Sequence, residues 1–158
     1  MDAFTVALRP WGLYIAAERT LNGDELRDFA NVFGLACHTL RRRGNEWGVI
    51  ADLRAVDLAR TRQDILLTYM HAARQFGKGR SASIVATWHG AAVYAEALHA
   101  AGLVRTARVI VVQDSGPAGV HRAYDWVLRG IEPTIPELTD PGQRAHYEWF
   151  GTVALSGA

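Results

Sequence analysis

Apolar residues along this chain alternate between two periods, short strand-like runs and longer stripes at helical spacing. Residues 4–9 and 13–20 are the first two runs, and Pro10-Trp11-Gly12 between them supplies turn chemistry. Together they predict an antiparallel hairpin. Leu26, Phe29, Ala30, Phe33, Cys37 and Leu40 then recur on one face of a helix. Asn22 and Glu25 have the spacing of a capping box at its start. Arg41, Arg42 and Arg43 oppose the helix dipole at its end, and Gly44 stops it.

A strand-to-helix step then repeats three times. Residues 49–53 read as a buried strand, followed by a polar turn over 56–62. Thr61 is placed to cap a second helix, with Asp64 three residues on. Ile65, Tyr69, Ala72 and Phe76 form its buried stripe, and Gly77 ends it. Residues 81–88 form the next strand and 91–101 the next helix, closed by Gly102. The run RVIVVQ over 108–113 is a strand, and 120–129 a helix with Val120, Ala123, Tyr124 and Val127 on one side. The expected fold is therefore α/β: an N-terminal β-hairpin, then βα units forming a mixed, mostly parallel sheet covered by helices. The last three of these strands are expected to be parallel.

The tail breaks the alternation. Pro133, Pro136 and Pro141 exclude a continuous helix over 131–141, which reads as an extended strap. Asp140-Pro141 has the chemistry of an N-cap and first helical position, opening a short helix to about residue 152. Its Tyr147, Trp149 and Phe150 need an apolar surface, on the domain or on a second copy. This divides the chain into a domain over 1–131 and an extension over 132–158, and suggests a homodimer through the terminal helix.

The composition narrows the function classes. A chain of 158 residues can bury a core as one domain, and 49% hydrophobic with 21% charged residues is an ordinary globular balance. A net charge of +1 gives no long-range attraction to nucleic acid or anionic lipid. The basic residues are arginines except for Lys78. The one cysteine, Cys37, excludes an intrachain disulfide and fits a reducing compartment. The start MDAFTVALR lacks the pattern of a signal peptide, and no apolar run approaches the ~20 residues of a membrane span. A cytoplasmic location is the expectation.

In an open α/β sheet, ligands bind beyond the carboxyl ends of the parallel strands. The turns at 56–62, 88–90 and 114–119 should converge there. They would bring Asp57, Arg60, Thr61, Arg62, Trp88, His89, Asp114 and Ser115 to one rim. A tryptophan beside a titratable histidine suits a protein interface, although Trp88 could equally pack at a strand end. Thr61 is a candidate phosphoacceptor, because a phosphate there would meet free helix amides and a neighbouring arginine. A plain helix cap is the simpler use of the same residue. Asp114 and Ser115 with His89 or His121 could be drawn as a hydrolase triad, but QDSGPAG lacks the G-x-S-x-G elbow. Cys37 and His38 point about 100° apart on a helix and cannot pair. The six histidines show no i, i+4 pair, so no metal and no cofactor is expected. FGKGRS, at 76–81, precedes a strand where a phosphate loop would follow one, and reads as a helix stop.

Three stretches also carry a resemblance: LNGDELRDF at 21–29, VIADLRAVD at 49–57 and RAYDWVLRG at 122–130. In this order they resemble the STAS-like fold, and within it the SpoIIAA-like (STAS/SEC14) family related to anti-sigma-factor antagonists. The resemblance covers about residues 4–131. It implies a non-catalytic regulatory or protein-binding module that contacts a partner protein. In the antagonists a Ser or Thr at the start of the second helix is phosphorylated, and Thr61 falls there. The family's Asp-Ser-Ser-Gly is Arg60-Thr61-Arg62-Gln63 here. The SpoIIAA-like branch often lacks the acceptor and looks like a binder of apolar ligands or proteins. The alternative expectation is thus a carrier of a small apolar molecule or lipid, held between helices and sheet and lined by Phe33, Tyr69 and Phe76. A small hydrolase using Ser115 is a further alternative.

Overall fold

The structure, a computed structural model, describes residues 2–113 and 116–133, and the backbone of 153–156. Its strands are β1 (Phe4–Arg9), β2 (Gly12–Ala17), β3 (Trp47–Asp52), β4 (Lys78–Val85), β5 (Ala107–Val112) and β6 (Val153–Ser156). Its helices are α1 (Gly23–Arg42), α2 (Gln63–Gln75), α3 (Trp88–Ala101) and α4 (Ala118–Arg129). The strands lie side by side in chain order. β1 runs antiparallel to β2, and every later pairing is parallel. This is the α/β fold read from the sequence. The parallel part begins one strand earlier, at β2, so only β1 runs against the rest.

The hairpin meets β3 through two glycines. Gly12 has φ +151° and pairs with Gly48, and a Cβ on Gly12 would fall 2.0 Å from the Gly48 carbonyl oxygen. No side chain fits at Gly12 against that backbone, and at Gly48 a Cβ would instead fall 2.3 Å from the Val127 side chain of the helix that covers this face. At the other edge, residues 153–156 pair with β5, a strand the sequence reading did not anticipate. The proposed terminal helix, with Tyr147, Trp149 and Phe150, and most of the strap lie outside the described residues.

Strand alternation divides the core. Val49 and Ala51 of β3 and Val109 and Val111 of β5 face α1, α2 and α3. Ile50, Ile84, Ile110 and Val112 face α4 on the opposite side. Period-two placement of apolar residues on both faces is what a sheet covered on both sides requires. Trp126 anchors α4: its indole N–H donates to the carbonyls of Ser81 (3.0 Å) and Thr106 (3.2 Å), and the Arg108 guanidinium lies 4.1 Å from its ring centre.

The first helix forms as its signals predict. Asn22 and Glu25 make a reciprocal capping box, and Phe33, Cys37 and Leu40 are buried. Ala30 is exposed, and Ala36 takes its place in the stripe. In α2 the deepest residues are Met70 and Ala73, while Ile65, Tyr69, Ala72 and Phe76 are half-buried. The helix is rolled so that its predicted stripe faces the α1 side and Met70 turns toward α3. No helix among the described residues is long and apolar enough to cross a membrane.

Candidate functional site

Between the sheet and the helices α1, α2 and α3 the packing leaves a cavity of about 300 Å³. Protein interiors otherwise contain few voids larger than a water molecule, so a space of this size is a feature to be explained. It reaches the lower end of the range found for small-molecule pockets. One wall is aromatic. Phe29 stacks on Phe33 at 5.6 Å between ring centres, and Tyr69 meets Phe29 edge-on at 5.0 Å and Phe33 at 5.4 Å. Phe4 closes the group against Phe29 at 5.4 Å. The Tyr69 hydroxyl donates to the Leu26 carbonyl at 3.3 Å, which joins α2 to α1 across this wall. Ile15, Val49, Ala51 and Leu53 form the floor, and Met70, Ala73 and Leu98 close it from the helix side.

Of the three residues expected to line an apolar pocket, Phe33 and Tyr69 do so and Phe76 does not. Phe76 caps the end of α2. Its ring lies 4.5 Å from that of His38 and 5.6 Å from the Arg41 guanidinium, and its carbonyl accepts from the Trp47 indole at 2.9 Å.

Polar groups enter the cavity at two places. At the carboxyl ends of the strands stand Thr20, Arg60, Thr61 and Arg62. Along β4 stand Lys78, Ser81 and Ser83, with Tyr94 opposite on α3. Lys78 Nζ donates to the Ser81 hydroxyl at 3.0 Å and to the Gly79 carbonyl at 3.2 Å. Burial holds its ammonium down to about 8, and the Arg74 guanidinium adds to the effect. Ser83 and Tyr94 share a hydrogen bond between their hydroxyls, and burial raises the Tyr94 phenol above its usual range. The sequence reading treated Lys78 as part of a helix stop. The signal it carried was that the chain's single lysine sits between two glycines, where β4 begins.

The rim is assembled differently from the expectation. Thr61 does not cap α2. A short 3-10 turn, Leu58–Arg60, intervenes, and the Thr61 hydroxyl donates back to the Asp57 carbonyl at 3.1 Å. Asp57 caps that turn by accepting from the Ala59 amide at 3.1 Å, and its own amide donates to the Thr20 hydroxyl at 2.7 Å. Arg62 occupies the N-cap position of α2 and makes no side-chain cap bond. The extra turn uses the residues that a direct strand-to-helix step would have given to the cap. Arg60 pairs with Asp57 at 3.3 Å and Arg62 with Asp64 at 2.7 Å.

Trp88 and His89 are the first residues of α3, not a strand end and a turn, because β4 stops at Val85 and Thr87 caps the helix. Trp88 is half-buried against the core beneath α3, and His89 is exposed. A second hollow of about 300 Å³ lies between this helix start and the segment 54–59, with Asp57 and His89 on its walls. Asp114 and Ser115 lie outside the described residues. His121 is in α4, on the face of the sheet opposite α3. Cys37 is buried, and burial pushes its thiol up to about 11, so it is held as a neutral core side chain. Among the described residues no group of three His, Cys, Asp or Glu side chains is placed to hold a metal ion. Comparison of the chain with protein-family models, with curated proteins and with solved structures gave no match.

Proposed function

We propose that this chain is a non-catalytic binding module of the STAS/SpoIIAA-like kind that holds a small apolar molecule between its sheet and the helices α1–α3. The observation that carries this reading is the cavity itself, about 300 Å³ with predominantly aromatic and aliphatic walls. A protein with nothing to bind there gains stability by collapsing or filling such a space, since each lost methylene contact is felt in a core.

The test is calorimetric titration of the full chain with 1-octanol, a probe with an apolar tail and a neutral head. Saturable binding with a negative heat-capacity change is expected, because apolar surface is removed from water. The Ala51→Phe variant, which puts a ring into the cavity floor, should lose binding and keep its circular dichroism spectrum. Absence of binding to the unmodified chain would sink the proposal.

A second reading, contact with a partner protein through the rim, is favoured by one feature. Val56 and Leu58 wall both the cavity and the hollow beside His89. In this reading an occupant of the cavity alters the rim through the 3-10 turn, and the partner reads the result. Slower amide exchange at the rim on cavity filling would support the link.

A further inference from the structure

Three cationic side chains line the cavity, and they are not equivalent. Arg60 and Arg62 are paired with Asp57 and Asp64. Lys78 has no carboxylate within ion-pair distance among the described residues. A cation facing an apolar cavity without a counter-charge is costly unless something brings one.

The backbone is built to put it there. Between β3 and β4 the register passes from Trp47 opposite Lys78 to Val49 opposite Ser81. Two steps on one strand match three on the other, so β4 carries one extra residue, a β-bulge. In a regular strand, residues three apart point to opposite faces. The bulge cancels that alternation and lets Lys78 and Ser81 meet on the cavity face, where they bond at 3.0 Å. Arg80, inside the bulge, goes to the other face and donates to the Val127 carbonyl at 3.1 Å. Re-aiming a side chain is a known use of bulges near functional sites.

Two donors then remain for a ligand. Lys78 Nζ has three N–H groups, of which two are used. Ser81 accepts from Lys78, which leaves its own hydroxyl proton to donate. One N–H and one O–H side by side match the two oxygens of a carboxylate.

We propose that Lys78 and Ser81 form a head-group site, and that the cavity's ligand is an apolar monocarboxylate, its carboxylate on Lys78 and its tail toward the Phe33 and Tyr69 wall. This rests on the cavity reading above and adds the chemical class of the ligand. At about 300 Å³ the space holds on the order of ten water-sized heavy atoms, the size of a medium-chain fatty acid.

The experiment compares octanoate with 1-octanol at pH 7 by calorimetry, on the full chain. Octanoate should bind the unmodified protein roughly 10-fold or more tightly than octanol, the scale of a charge-assisted hydrogen bond. Lys78→Met should remove that preference and leave octanol binding within about threefold. Ser81→Ala should weaken octanoate severalfold and leave octanol unchanged, which keeps the test valid if the lysine variant folds poorly. Arg60→Ala with Arg62→Ala, at the cavity opening, should leave the preference for octanoate over octanol within about twofold, whatever it does to the two affinities together. Equal affinity for the two probes, or loss of the octanoate preference in the double arginine variant alone, would overturn the head-group site and leave the cavity reading standing. Binding of neither probe would overturn both.

Discussion

Lys78 is a half-buried cation in the cavity wall, and its environment makes a prediction independent of any ligand. Its folded-state value is lowered to about 8 from an ordinary 10.5, chiefly by burial and secondarily by Arg74. Below pH 8 both the folded and the unfolded chain hold the proton, and the full cost of burying the charge is present. Between 8 and 10.5 the unfolded chain keeps a proton that the folded chain has released. Stability therefore rises with pH through that window, as far as this group contributes. The size of the shift corresponds to a cost on the order of 3 kcal/mol at neutral pH. Lys78→Met should accordingly unfold at higher urea concentration than the parent at pH 7, with the difference shrinking toward pH 10.5. A less stable variant at pH 7 would show that the Ser81 and Gly79 bonds outweigh the desolvation. A residue kept at a cost to stability is what a binding role leads one to expect.

The four helices differ in how they begin: α1 and α3 have side-chain caps, while α2 and α4 have none. The first helix has a full capping box from Asn22 and Glu25, and α3 has Thr87 accepting from the Gly90 amide at 2.9 Å. The second has Arg62 at its N-cap with no side-chain bond, after a 3-10 turn that separates it from β3. In its first turn the Ile65 amide donates to the Asp64 carboxylate at 3.0 Å, a local substitute for a true N-cap acceptor. Arg62→Ser should place an acceptor there and stabilise the fold by about 0.5–1 kcal/mol, read from the urea midpoint. The Arg62–Asp64 pair that it removes is exposed on both sides and offsets little. No gain, or a loss, would mean that the 3-10 turn prevents the cap geometry.

At the scale of the molecule, the sheet divides the protein into a packed side and a hollow side. Beneath α4 the residues Ile50, Ile84, Ile110, Val112 and Trp126 fill the space between helix and sheet. Beneath α1, α2 and α3 the cavity remains, and its wall at Val56 and Leu58 is also the wall of the rim hollow. Filling the cavity should steady that shared segment. Hydrogen exchange of the amides over 56–62 is expected to slow by several-fold with saturating 1-octanol, while amides of α4 stay unchanged. Uniform slowing across the protein would indicate global stabilisation by mass action alone and would remove the argument for a rim that reports occupancy.

The first five strands and the four helices are legible in the chain, because periods of 2 and 3.6 and the glycine stops are local properties; β6 and the 3-10 turn at 58–60 carry no such signal. Phe33 and Tyr69 were legible as lining residues for the same reason, since each belongs to an apolar stripe facing another element. Phe76 belongs to the same stripe as Tyr69, yet it turns to His38 and Arg41 where α2 ends. Thr61 has the composition of a cap, and only the intervening 3-10 turn gives its hydroxyl to Asp57 instead. Two things were decided by tertiary structure alone. Strand register depends on pairing between distant segments, and one extra residue in β4 reverses the face of every side chain before it, which is what brings Lys78 to Ser81. The cavity is a property of how α1, α2 and α3 rest on the sheet, and no residue type encodes a space that packing leaves empty.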